Sequence, residues 1–182
     1  MEKIRLVART LVLVAFGLLQ GVHCSAYYTR NSRTSSCIVD VASSQLGVHE
    51  TRPNDGPEIR LYLHSVGIYT PAPWCAAFVN WCLTICGVDS PINGWAASAV
   101  ARNVVYVRGG RNNKTVEPGD VAALYYPSMN RVGHAFIIED WGSGNKVRTI
   151  EGNSNDNGSR EGTSVVRRIR LKKTIYKVSR YR

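Results

Sequence analysis

The spacing of apolar positions changes character partway along the chain. Ile38, Val41, Ala42 and Leu46 recur at helical intervals, which predicts a helix over Cys37–Leu46 with Ser36 as its N-cap and Gly47 at its end. Pro57 at a first-turn position opens a second helix to about Val66, stopped by Gly67. A third begins at Cys75, directly after the turn-forming Pro71-Ala72-Pro73, and runs apolar to Cys86 before Gly87. A short helix is expected near Trp95–Arg102. The period then shortens to two. Val104–Val107, Asp120–Tyr126, Gly133–Asp140, Val147–Glu151, Thr163–Leu171 and Thr174–Val178 read as strands, separated by glycine- and asparagine-rich turns. Helices first and strands afterwards predict an α+β fold, with the helices packed on one face of an antiparallel sheet.

The N-terminus has a different pattern. Lys3, Arg5 and Arg9 lead into the apolar run Thr10–Leu19, which is too short to span a bilayer. A basic stretch followed by a short apolar one is the mark of a secretory signal. Cleavage after Ala26 fits, with Cys24 and Ala26 as the small residues before the cut. Lipid anchoring at Cys24 fits less well, because bulky His23 precedes it. The expected organisation is a signal peptide over 1–26, a polar lead-in over 27–36 and one domain over 37–182, in a secreted or periplasmic protein. A length of 182 residues suits one domain with a sizeable core, and 44% apolar residues exclude disorder for the bulk of it.

Composition adds charge and thiols to this picture. Removing residues 1–26 takes away three basic residues and one acidic residue, which lowers the net charge from +10 to +8. Residues 163–182 hold Arg167, Arg168, Arg170, Lys172, Lys173, Lys177, Arg180 and Arg182, with no acidic residue. This is either a solvated strand face or a surface for anionic wall polymer or lipid headgroups. Export argues against nucleic acid. Loss of Cys24 leaves Cys37, Cys75, Cys82 and Cys86. A bridge between Cys82 and Cys86 on one helix is strained, so Cys37 pairs with Cys82 or Cys86. No Cys-x-x-Cys or paired histidine spacing occurs, and no metal or cofactor is expected.

Cys75 is the candidate for chemistry. A thiol in the first turn of a helix feels the positive end of the helix dipole, which favours the reactive thiolate. A buried structural cysteine fits the same segment, so the base matters. His134 opens a hydrophobic strand in Gly133-His134-Ala135-Phe136-Ile137, which fixes its ring, whereas His49 and His64 read as surface residues. On the next strand, Glu151 and Asn153 lie two apart and point to one face. A carboxylate or amide there can accept the Nδ1–H of His134, fixing its tautomer and stabilising imidazolium.

Pro73-Trp74-Cys75-Ala76-Ala77-Phe78-Val79, Pro118-Gly119-Asp120-Val121, Gly133-His134-Ala135-Phe136-Ile137 and Ile150-Glu151-Gly152-Asn153, in that order, resemble the CHAP amidase/endopeptidase family. That family is part of the papain-like group that includes the NlpC/P60 peptidoglycan hydrolases. The similarity covers residues 37–180, and the segment Asn155–Gly162 resembles the ending of single-domain bacterial members. It implies a papain-like fold in which Cys75 is the nucleophile, His134 the base, Glu151 the orienting group and Asn153 a further polar position. It implies acyl transfer to sulfur, without a metal, in a monomer that cleaves an amide of bacterial peptidoglycan or its peptide fragments. Trp74 and Trp95 are candidates to line the groove, against plain core packing. Glu50 and Asn54 are candidates to border it, against a turn-forming role. The alternatives are an inactive wall-binding module, and hydrolysis of another amide such as a polyamine conjugate. The intact Cys75, His134 and Glu151 argue against the first, and export against the second.

Overall fold

One helix is apolar on nearly every side, and such a helix must be covered all round. It is α3, Cys75–Ile85, in which Cys75 to Asn80, Cys82 and Leu83 are all buried. A computed structural model describes residues 32–155 and 162–182. The signal peptide expected over 1–26, the lead-in up to residue 31 and the turn at 156–161 lie outside the described residues. Within the compact unit Thr34–Arg182, α1 (helical from residue 32 to residue 44) and α2 (Pro57–His64) pack against α3. The other wall is one antiparallel sheet. Its strands are β1 (Val104–Val107), β2 (Val121–Tyr126), β3 (Arg131–Asp140), β4 (Lys146–Ser154), β5 (Ser164–Leu171) and β6 (Ile175–Ser179), in the order β1-β6-β2-β3-β4-β5. The fold is α+β.

Strand alternation divides the core between the two faces of this sheet. Ala135, Ile137 and Ile150 meet Ile38, Ile59, Tyr62, Trp74 and Phe78 on the helical side. Phe136, Ile138, Val147, Ile175 and Val178 form a second cluster on the far side. Residues 47–50 run along the start of β5, with Glu50 N–H donating to the Thr163 carbonyl at 2.8 Å and Val165 N–H to that of Val48 at 2.8 Å. This loop covers the open end of an edge strand.

Three elements differ by more than two residues from the bounds read in the sequence. α1 is already helical at residue 32, so Ser36 sits inside it, and its hydroxyl donates to Asp40 Oδ2 one turn on instead of capping. The short helix near Trp95–Arg102 is a single 3-10 turn, Ser98–Val100. β4 continues three residues past Glu151 because β5 keeps pairing with it as far as Ser154↔Ser164. The thiols also settle. Cys37 and Cys86 form a disulfide with Cα atoms 5.9 Å apart, tying α1 to the end of α3, while Cys75 and Cys82 are free and buried.

Much of the basic C-terminal segment is engaged within the molecule. Asp120, with no exposed surface, receives Arg180 Nε on Oδ1 and a terminal guanidinium N–H on Oδ2, both at 2.8 Å. Arg182 reaches Glu117 at 2.8 Å and Arg167 reaches Glu139 at 2.8 Å. Lys172 donates to the Gly142 carbonyl and lies over the Trp141 ring. Arg180 thus fastens the end of β6 to the Pro118-Gly119-Asp120 turn that leads into β2.

The disulfide joins residues 49 apart in sequence, and closing a loop of that length in the unfolded chain is worth about 4 kcal/mol. Reduction is therefore expected to lower the thermal midpoint by at least about 8 °C for a domain of this size. Peptide mapping of the oxidised, unfolded protein should recover Cys37 linked to Cys86, with Cys75 and Cys82 both alkylated as free thiols. A Cys37–Cys82 peptide would contradict the pairing.

Candidate active site

Pro71 and Pro73 keep the approach to α3 extended, so the helix starts abruptly at Cys75 with Trp74 at its N-cap. The Trp74 carbonyl accepts the Phe78 N–H at 2.9 Å. Its ring is fully buried, so Trp74 packs the core and does not line a groove. The indole N–H donates to Glu50 Oε1 at 2.8 Å, and Glu50 Oε2 accepts the Asn54 N–H at 2.8 Å. Glu50 therefore holds the helix start and orders its own loop. On the opposite side, Gly152 of β4 lies so close that a Cβ there would stand 2.7 Å from Phe78 and Trp74. Only glycine lets this strand reach the first turn of α3. The Cys75 side of the helix is thus clamped, and Cys75 itself keeps 7% of its surface exposed.

β3 and β4 pair from Asp140↔Arg148 to Ile137↔Ile150. Beyond that end of the ladder, the Ala135 N–H, the Ala76 N–H in the helix's first turn and the His134 ring all favour negative charge on the Cys75 sulfur. The Nε2 of His134 meets Glu151 Oε2 at 2.9 Å, which leaves Nδ1 for the thiol. This reverses the ring orientation expected from sequence, where Nδ1 was to face the carboxylate. His134 is 5% exposed and Glu151 has no exposed surface.

Glu151 has three further partners. Thr149 Oγ1 donates to Oε1 at 2.6 Å, Ser154 Oγ to Oε2 at 3.2 Å, and Arg170 makes a two-pronged contact through Nε and a terminal N–H, each at 2.5 Å. Asn153 does not share this face with Glu151 as simple alternation predicts. It has a left-handed backbone, φ 53, at a register shift between Glu151 and Ser154. The bulge adds one residue, and Ser154 takes the place that the period-two pattern gave to Asn153.

Charge follows from these contacts. Burial pushes the Cys75 thiol up, but the hydrogen bond and positive charge of His134, with the N–H groups of Ala135 and Ala76, outweigh it and hold the thiol below its ordinary value. Burial works against the imidazolium of His134 too, yet Cys75 and Glu151 raise it to about 9. Burial likewise opposes ionisation of Glu151, and His134 with Arg170 overcomes this and keeps the carboxyl well below its usual range. These contacts favour a thiolate on Cys75 and an imidazolium on His134, backed by a carboxylate, an arrangement suited to attack on a carbonyl carbon. Among the described residues no group of three or more His, Cys, Asp or Glu side chains could hold a metal ion.

The remaining sequence-derived residues lie around this centre. Glu50 and Asn54 line a groove with Arg52 and Thr163. Trp95 is 66% exposed, with the guanidinium of Arg131, the first residue of β3, 6.0 Å from its ring centre. His49 and His64 are exposed. Three groups were missed: Thr149, Ser154 and Arg170. Thr149 lies two residues before Glu151 on the strand and was open to the same alternation argument. Arg170 was hidden among the alternating basic residues of β5.

Residues 67–153 match the family model of the CHAP domain, and they include Cys75, His134 and Glu151. A solved structure, an NlpC/P60 family protein from Bacillus cereus ATCC 10987, is similar with a TM-score of 0.49 and 13% identity, over 81% of this chain and 40% of that one. This chain therefore spans less than half the length of that protein. No curated protein matches the chain.

The two shifted groups define a pH window for the free thiolate. Cys75 is held below its ordinary value and His134 above, so iodoacetamide should alkylate native Cys75 rapidly at neutral pH, with a change in rate near pH 9 as His134 loses its proton. His134→Ala removes the largest opposition to burial, so the thiol rises and alkylation at pH 7 should slow by at least about tenfold. Cys82, raised well above its ordinary value by burial, should stay unmodified in the native protein. Equal labelling of Cys75 and Cys82 at pH 7 would show that the pair does not form.

Proposed function

We propose that the chain is an exported cysteine hydrolase that cleaves an amide bond of bacterial peptidoglycan. The observation that carries this reading is the thiol of Cys75, in the first turn of α3 and held below its ordinary value by His134, whose Nε2 meets buried Glu151 at 2.9 Å. The match to the CHAP domain family model supports the substrate class. The basic and apolar character of residues 1–19 supports export.

In this mechanism the Cys75 thiolate attacks the carbonyl carbon of the scissile amide, and the carbonyl π electrons move to oxygen. Backbone N–H groups at the start of α3, including that of Cys75, stabilise the oxyanion, since first-turn amides have no acceptor within the helix. The Nδ1 proton of His134 passes to the leaving amine as the C–N bond breaks, giving a thioester on Cys75. Water then attacks the thioester carbonyl, giving its proton to Nδ1, and the thiolate leaves as the acid product forms. Glu151 touches no reacting atom. It fixes the ring and favours imidazolium through both steps. The exposed face of Trp95 offers a stacking surface for a sugar ring, and the net positive charge favours approach to an anionic wall.

A turbidity assay on purified cell wall, comparing native protein with Cys75→Ala and His134→Ala, tests the assignment. Native protein should clear the suspension, and each variant should lose at least about a thousandfold in rate. Mass analysis of the released fragments should show a new amine and a new carboxylate at one amide position. Clearing by Cys75→Ala at the native rate would remove the nucleophile, and binding without clearing by native protein would leave a wall-binding module.

A further inference from the structure

We infer that Arg170 is a positioning residue for this hydrolysis: it holds Glu151 ionised and aligned with His134, and so decides how far into acid the thiolate–imidazolium pair survives. The inference rests on the Cys75–His134–Glu151 reading above. It begins from the cost of burying Glu151, which has no exposed surface. A buried carboxylate without counter-charge takes up a proton. Thr149 and Ser154 supply hydrogen bonds but no charge. Among the described residues the counter-charge comes from His134 and Arg170.

These two are not equivalent. His134 gives up its proton each time an amine leaves, so at that moment it no longer neutralises Glu151. Arg170 does not deprotonate in a protein, and its fork engages both carboxylate oxygens at once. It is itself constrained: its side chain is 17% exposed, and its guanidinium carbon lies 5.1 Å from the centre of the buried Phe136 ring. That ring in turn lies 5.6 Å from the His134 imidazole. Carboxylate, guanidinium, phenyl and imidazole brace one another on the far face of the sheet. The charged groups facing this cluster are Cys75 from α3, His134 from β3, Glu151 from β4 and Arg170 from β5. Arg168, earlier on β5, is turned to the Asn155 carbonyl. With thiolate, imidazolium, carboxylate and guanidinium in alternation, the centre is neutral, and removing Arg170 leaves a buried excess negative charge.

That excess charge has a direction. Without Arg170, Glu151 becomes easier to protonate and the thiolate loses a distant positive charge, so both changes weaken the ion pair from the acid side. Neither favours loss of the His134 proton, so the alkaline side does not move down. The experiment follows the rate of Cys75 alkylation by iodoacetamide against pH, together with wall clearing, for full-length native protein, Arg170→Met and Arg170→Lys, each checked for a cooperative thermal transition. Arg170→Met should move the acid limb of alkylation up by about one pH unit and reduce clearing about tenfold. Arg170→Lys keeps the charge but not the fork, so its acid limb should stay with the native protein while clearing falls severalfold. A purely structural role would lower the amount of active protein without moving the limb. A folded Arg170→Met with the native acid limb overturns the inference, as does a Lys variant whose limb moves as far as that of Met. Alkylation needs no wall substrate. A shifted limb in a protein that clears no wall would therefore sink the substrate assignment while leaving the role of Arg170 intact.

Discussion

A carboxylate without exposed surface governs how this molecule is put together. Ionised Glu151 is stable inside only because three other parts of the chain meet it: His134 from β3, Arg170 from β5, and the hydroxyls of Thr149 and Ser154 from its own strand. Leaving such a charge without partners costs several kcal/mol, so the contacts act together and not as separate bonds. This demand shapes the end of β4. The register shift there, with Asn153 in the left-handed region, swings Ser154 onto the carboxylate. It also leaves Gly152 facing the other way, where its missing side chain admits the first turn of α3. One irregular strand end thus serves both sides of the sheet: the buried charge on one, and the approach of the nucleophile on the other.

The frame around this centre resists relaxation. α3 is fixed at its start by the Trp74–Glu50 hydrogen bond and at its end by the Cys37–Cys86 bridge. Midway, Asn80 donates to the Ser65 carbonyl at 2.9 Å and accepts from Ser90, tying the helix to α2 and to the loop that follows. On the sheet side a second buried carboxylate, Asp120, is held by Arg180 and joins β6 to the turn before β2. Cys75 and His134 lie on different elements, one helical and one in the sheet. Their mutual distance is only as constant as the packing between those elements, and each of these ties limits sliding of α3 over the sheet.

The period of the hydrophobic pattern made most of the architecture legible. All six strands lie where alternation placed them, and α2 and α3 start at Pro57 and Cys75 as their punctuation indicates. The alternation rule failed where the chain departs from it. Asn153 was assigned to the face of Glu151 because spacing carries no sign of a bulge, although asparagine tolerates the left-handed backbone found there. Ser36 looked like a cap because Ser before an apolar run usually is one, yet tertiary packing carries α1 further back. Trp74 was a candidate groove residue, but its buried indole finds an acceptor in half-buried Glu50, a contact between positions 24 apart that no local pattern encodes. Arg170 was one of eight basic residues in a run, and only the fold tells which of them meets a buried carboxylate.

α3 also shows how position alone gives three thiols three fates. Cys75, Cys82 and Cys86 share one short helix, and two of them are buried and free. Cys75 lies in the first turn, where amide hydrogens point outward from the helix end and His134 favours the thiolate, so the thiol is held below its ordinary value despite burial. Cys82 is two turns further along, where the backbone N–H groups are committed to the helix. With only a backbone contact to offset burial, its thiol is pushed far above the ordinary range and behaves as a small apolar side chain. Cys86 falls at the C-cap, where the helix ends beside α1 and Cys37 is close enough to bond. If Cys82 took the place of Cys86 in the bridge, α1 would have to slide about a turn along α3, and Ile38 would leave the cluster it fills beside Ala42 and Ile59. Packing of the apolar faces therefore selects the disulfide, and of the two thiols left free only the one in the first turn of α3 is held below its ordinary value.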